Sequence, residues 1–422
     1  MTEPEAAGSN FNVPRSTFVD CMKALKEDAR LALEGLPWEY GDAAEMQRLS
    51  AKYAGADQGK VTRVFGANFI GRMSGKVVEA FVAKADLLAA SPAYSDQSGV
   101  DWKTAAASAA KVLNHIGGVD GMDPTGWTWY CNVDDIEKLS PTESPAEILW
   151  RGERAKSLSL EEDNFPPTLY GNGRINPTQN LVDAFPMLNG YPVSHLSGEY
   201  DENLPYANRD PRLEAYILYN GCKAGNTNKE IFTAADGTTN DALNKVVGRS
   251  TRTGYYLRKL LRQDISLDPN AKADQYHYTP RIRYTEIFLA YAEAANQAYG
   301  PQDKGGNGYS AYDVVKKLRH RAGIGRDNGD AYLESIKNDQ AKMAELIRNE
   351  RRIELCFEGF RFWDLRRWKS NLTETAKGMN ISGTRYTPME VDKRSFSEYM
   401  YYGPIPYSEV LKYDELKQNQ GW

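Results

Sequence analysis

The chain has 422 residues, enough for two or three average domains or one large helical array, and sets 52 basic against 57 acidic residues for a net charge of −5. That balance excludes the basic surplus of a general nucleic-acid footprint. No run of about 18 apolar residues offers a membrane-spanning helix, and the acidic, polar Met1–Asn10 does not read as a signal peptide.

In chain order, residues 16–34 read as an amphipathic helix with Ser16 or Thr17 as cap, a stripe through Phe18, Met22, Leu25, Ala29 and Leu33, and a stop at Gly35-Leu36-Pro37. Residues 38–58 are polar and turn-like, with room for a short helix over Ala44–Tyr53. Residues 71–91 predict a strong alanine-rich helix ended by Pro92, and Asp101–Ile116 predicts its partner. Gly71 to Lys76 is one residue short of a phosphate-binding loop and lacks its Ser/Thr. Small residues at a helix–helix contact are instead the logic of helical repeats.

Between Gly117 and Asp274 the periodicity is lost, and a stretch of that length without regular structure points to function. Short strands are expected at 147–151, 213–220 and 254–261. Helices resume at Arg281 and run to Tyr299, then over Tyr309–Ala322. A last helical region spans Asp330–Trp368, with interruptions near Asp339 and Gly359. Residues 371–400 read as loop, and a final short helix starts at Ile405.

Two clusters carry chemistry. Residues 347–368 combine charge with Trp363 and Trp368, and Arg351–Glu354, Glu358–Arg361 and Asp364–Arg367 sit three apart, within helical pairing distance. Surplus arginines lower carboxylate pKa values, which suits an ion-pair lattice better than a general acid. The lattice reading places Arg351, Glu354, Glu358 and Arg361 as paired groups inside the fold. The second cluster is aromatic. Sugar binding needs flat aromatic faces with a few placed polar groups, and the candidates are Trp127, Trp129 and Tyr130 together with Tyr170, Asn172 and Arg174. The competing reading makes these rings loop anchors packed on the core. Tyr200, Tyr206, Tyr276 and Tyr278 are weaker candidates, and Arg209 to Arg212 reads as a buried turn with Asp210 capping and both arginines paired. The acidic run Glu161-Glu162-Asp163 could supply the two carboxylates of a glycosidase, but reads as a solvated face. The scattered histidines and cysteines show no metal spacing, and Cys356 reads as a core thiol.

Several segments resemble, in order, motifs of the SusD/RagB family: NPTQNLVDAF at 176–185, YANRDPRL at 206–213, TGYYLRK at 253–259, RIRYTEIFLAYAEA at 281–294, and GPIP at 403–406 with the closing QNQGW. Arg72–Tyr94 and the 347–368 stretch also look like family helices, so the resemblance covers nearly the whole chain. It implies a mostly α fold, a tetratricopeptide-like αα superhelix carrying an irregular region with short strands. The implied division is a helical part over 1–116, a ligand-facing part over 117–274 and a helical part over 275–422, within one unit. The implied function is capture of glycan at the outer face of the outer membrane by a lipoprotein. The glycan is then delivered to a SusC-like TonB-dependent transporter, with no catalysis, cofactor or metal. Val13-Pro14-Arg15-Ser16 resembles an internal family segment. The expectation is therefore a chain lacking its N-terminal part, with the lipid anchor upstream and part of the scaffold and of the usual sugar site missing. A repeat scaffold that binds the transporter or another protein without glycan remains the alternative, and a glycoside hydrolase a weaker one.

Overall fold

The helix Tyr284–Tyr299 is the axis of the scaffold. Every residue from Tyr284 to Asn296 is buried, as in a helix with neighbours on all sides rather than one apolar stripe. In the computed structural model, which describes residues 6–53, 57–140 and 143–422, it packs against the helices Gly75–Ala90, Trp102–Asn114, Ala311–Arg321 and Gln340–Glu354. Alanines make the close approach: Ala80 and Ala83 on one helix, Ala105, Ala106, Ala109 and Ala110 on the next, and Ala292, Ala294 and Ala295 on the axis are all buried. The expected mostly α fold of packed helix pairs is observed, and no helix of the described residues is long and apolar enough to cross a membrane.

Side-chain caps set the helix starts. Thr17 accepts from the Asp20 amide at the head of Phe18–Gly35, and Asp101 accepts from Thr104 at the head of Trp102–Asn114. The short helix expected over 44–53 is Ala43–Lys52, and a further helix, Gln58–Phe65, starts on Asp57.

Three expectations need correction. Pro280–Arg283 is a strand, and the helix begins only at Tyr284, because this segment pairs antiparallel with Ile148–Arg151. Pro211–Tyr216 is a helix that precedes the strand Ile217–Leu218: Asp210 caps it and Pro211, lacking an N–H, suits its first turn. Residues 371–400 are not all loop, since Ala376–Ser382 and Arg385–Asp392 form a hairpin. Its first strand buries Met379 and Ile381, while no residue of the second is buried, so the second carries no apolar alternation to read.

The hairpin rests on Gly254. The Met379 amide donates to Thr253 O at 2.8 Å, and Gly254 has φ +85° with Met379 O 2.4 Å from where a Cβ would stand. Gly254→Ala therefore meets both strain and a backbone clash. It is expected to cost more than about 1 kcal/mol, read as a lowered urea midpoint at unchanged slope.

The charged stretch 347–368 is two helices, Gln340–Glu354 and Phe360–Arg367, divided by Phe357 (φ +64°) and Gly359 (φ +85°). The break sends partners across it. Arg351 Nε donates to Asp364 at 2.7 Å instead of pairing with Glu354, and Glu358 is held by Arg283 and Lys259 instead of Arg361. Arg367 meets both Asp364 and Glu293, at 2.9 and 2.6 Å. Arg361 departs from the expectation: it makes no ion pair with a described residue, and burial with Arg352 nearby pulls its guanidinium down to about 10. Arg212 pairs with Asp210, Glu350 and Glu354, whereas Arg209 makes no ion pair with a described residue and donates to the carbonyls of Val182, Pro205 and Phe185.

Candidate functional site

Two stretches of chain, 148–157 and 275–283, run beside each other through two antiparallel ladders: Ile148–Arg151 with Pro280–Arg283, and Ala155–Ser157 with Gln275–His277. The register shifts on either side of Trp150, and such irregularities re-aim side chains. This ribbon carries Trp150, Arg154, Tyr276 and Arg281 to one wall of a cavity of about 730 Å³. The opposite wall comes from the entry to the helix Gly75–Ala90 and includes Tyr40, Phe69 and Arg72.

The walls are tied together. Trp150 Nε1 donates across to Gly71 O at 2.7 Å, and within the opposite wall Tyr40 Oη donates to Met73 O at 3.0 Å. Burial pushes the Tyr40 hydroxyl upward in pKa, with Arg72 opposing. Within the cavity lining, aromatic rings carry arginines. Arg72 lies 4.3 Å from the Phe69 ring centre, Arg281 4.5 Å from Trp150, and Arg154 4.0 Å from Tyr276. A guanidinium stacked on a ring is pinned in its plane while its N–H groups project sideways. Arg154 spends donors on Ile136 O and Glu137 O. The Arg72 and Arg281 side chains are exposed in the cavity lining and make no hydrogen bond or ion pair with any described residue. Of the carboxylates, Glu39 is ion-paired with Lys76, while Glu153 is an exposed residue of the lining.

A second cavity of about 590 Å³ shares Glu153 and Arg281 with the first. Its wall includes Trp129 and Tyr130. Both are buried, and the Tyr130 hydroxyl donates to Ala215 O at 2.7 Å. Burial raises the Tyr130 pKa well above the ordinary tyrosine value.

The six residues singled out from sequence therefore divide. Trp129 and Tyr130 face the second cavity from within a core cluster. Trp127 packs against the same cluster, lines neither cavity, and its carbonyl accepts from Tyr216 Oη at 2.8 Å. Tyr170, Asn172 and Arg174 also line neither: Tyr170 is exposed beneath Lys229 and Arg174 pairs with Asp163 at 3.0 Å. The run 161–163 is not a uniformly solvated face. Glu161 is fully buried and accepts from the Arg262 amide at 2.9 Å, while Glu162 pairs with Lys272. Phe69, Arg72, Trp150, Arg154 and Arg281 were not candidates on sequence grounds. The available signal was the density of Trp150-Arg151-Gly152-Glu153-Arg154; Tyr276 is joined to it only by the strand pairing, and Phe69 only where Gly71 O meets the Trp150 indole.

The model of the SusD family matches residues 150–422, more than half of the chain. Among curated proteins, SusD-like protein P2 of Formosa agariphila is 32% identical over 152 residues, which cover 36% of this chain and 26% of that protein. SusD-like protein P38 of the same organism is 33% identical over 85 residues, covering 20% and 16%. The matched stretches thus span well under two thirds of these relatives. Among solved structures, a SusD-like protein from Bacteroides fragilis is similar at a TM-score of 0.71 and 25% identity, over 99% of this chain and 74% of that one. A SusD-like carbohydrate binding protein from B. fragilis matches at 0.64 and 21%, over 96% and 75%. The chain belongs to the SusD family.

Proposed function

We propose that this SusD-family chain captures glycan at the cell surface, with the cavity between Phe69, Trp150 and Tyr276 as its binding site, and passes it to a TonB-dependent outer-membrane transporter. The observation that carries the reading is the set of three arginine-bearing rings around one cavity. Flat apolar faces and in-plane donors together are what sugar rings and their hydroxyls require. Trp129 and Tyr130, across Arg281 and Glu153, extend the site toward a second sugar position. Tyr170, Asn172 and Arg174 would meet only a longer polymer. The similar carbohydrate binding protein from B. fragilis shares this fold.

The role is binding rather than turnover. A glycosidase sets two carboxyl groups across one cleft, one of them held protonated. Glu161, Glu162 and Asp163 line neither cavity. Glu286, at the second cavity, is pushed up by burial, but Lys84 Nζ sits 2.8 Å away and draws it back.

Affinity electrophoresis tests the proposal on a panel of neutral and charged polysaccharides: dextran and dextran sulfate, polygalacturonate and its methyl ester, and xylan. Retardation on at least one is expected, reduced by Tyr276→Ala. No retardation on any, with tight binding to the co-purified transporter, would establish the protein-binding scaffold instead. Reducing-sugar release abolished by Glu286→Gln would show an enzyme.

A further inference from the structure

We propose that the glycan taken by the first cavity is anionic, carrying carboxylate or sulfate groups that the Arg72 and Arg281 guanidiniums receive. The inference rests on the glycan reading above and concerns the ligand's charge. Among the described residues, the lining holds five cations, Arg72, Lys76, Arg151, Arg154 and Arg281, against the two carboxylates Glu39 and Glu153. The chain as a whole is net negative, so this excess runs against the average surface.

Lys76 is neutralised by Glu39. Arg151 is buried and turned onto the carbonyls of Ser140, Glu143 and Gly152. Those bonds satisfy its donors without cancelling its charge. Arg154 is likewise engaged by carbonyls alone. The Arg72 and Arg281 guanidiniums are exposed, held on their rings, and without any acceptor among the described residues. Trp150 links the two: its ring carries Arg281, and its indole N–H fixes Gly71 O next to Arg72. The arrangement is two forks joined through one indole, Arg281 over its ring and Arg72 beside the Gly71 carbonyl it holds. A saccharide seated in the cavity beside Trp150 would place ring substituents toward both. Planar guanidinium matches carboxylate and sulfate in paired hydrogen bonds, and such charge-assisted bonds are stronger than those to hydroxyls. A neutral sugar would use the donors and leave the local excess charge unanswered.

Isothermal titration of the full chain with the matched pairs of the panel, as oligomers, tests this. Oligogalacturonate against its methyl ester probes carboxylate, and dextran sulfate against dextran probes sulfate. The charged member of at least one pair is expected to bind at least about tenfold tighter, and the gap to shrink from 20 to 500 mM NaCl, where screening is stronger. Arg72→Gln and Arg281→Gln, both at exposed positions, should each remove most of that preference at unchanged Tm. Equal binding of charged and neutral members, or a preference untouched by both variants, would overturn the anionic inference and leave the glycan reading standing. Failure of every polysaccharide would remove both. Displacement by inorganic sulfate at equal anion concentration would reduce the site to a simple anion site and overturn the saccharide assignment.

Discussion

Glu354→Gln is expected to lower the free energy of unfolding by about 3–5 kcal/mol, the cost of breaking a buried ion network by removing one partner. Glu354 is 1% exposed. Its carboxylate accepts from Arg321 at 2.6 Å and from Arg212 at 3.0 Å, with Arg283 at 3.8 Å. Its backbone carbonyl takes Lys259 Nζ at 2.7 Å and Arg283 Nη2 at 2.6 Å. The neutral amide removes the charge that Arg321, Arg212 and Arg283 share, leaving them, among the described residues, only their outer carboxylate partners Glu147, Asp210, Glu350 and Glu358. Urea denaturation followed by circular dichroism gives the loss.

The same site sets acid stability. Burial alone would raise the Glu354 pKa, but Arg321, Arg212, Arg283 and Lys259 outweigh it and hold the group at about 2, against 4.5 for an ordinary glutamate. A carboxylate with a lowered folded pKa contributes stability that is complete above the unfolded value and is lost as pH falls through the folded one. The Glu354 contribution is thus present above about pH 4.5 and drains between about 4.5 and 2. Wild type should lose more stability across that window than Glu354→Gln. Parallel profiles would contradict the assignment.

Trp150→Ala is expected to weaken glycan binding about 30-fold, on the order of 2 kcal/mol for truncating a central tryptophan. Three contacts go at once: the face that carries Arg281, the indole bond that holds Gly71 beside Arg72, and the edge-on packing with Phe81 at 5.9 Å. Since the ring also packs against the helical core, the alanine variant will melt earlier. Trp150→Phe separates the effects. It keeps an aromatic face and loses the bond to Gly71, so its affinity should fall between wild type and alanine while its Tm stays near wild type. Affinity unchanged in both variants would remove Trp150 from the site.

How much could be read from the chain varied with the physics of each segment. The helices over 75–90 and 102–114 were legible because alanines at close contacts leave a dense pattern between clear stops. The ion-pair lattice was legible in kind, since arginines and carboxylates at that density must neutralise one another. Its pairings were not, because the turn at Phe357–Gly359 exchanges near neighbours for distant ones, and Arg361 ends without an ion pair. The hairpin over 376–392 was hidden because its outer strand is solvent-facing. The site was the least legible part. Trp129 and Tyr130 advertise themselves as a run of rings, yet both serve a core cluster as well as a cavity wall. The cavity that the proposal places at the centre is assembled from residues 69, 150 and 276: the pairing of 148–157 with 275–283 joins the last two, and the Trp150 bond to Gly71 O brings in the first.

A crystal structure of the chain with an oligomer of whichever panel polysaccharide it retains tests the central claim most directly. The predicted result is saccharide density against Trp150, with its substituents between Arg72 and Arg281. Density against Tyr170 and Asn172, with the Trp150 cavity free of sugar, would contradict it.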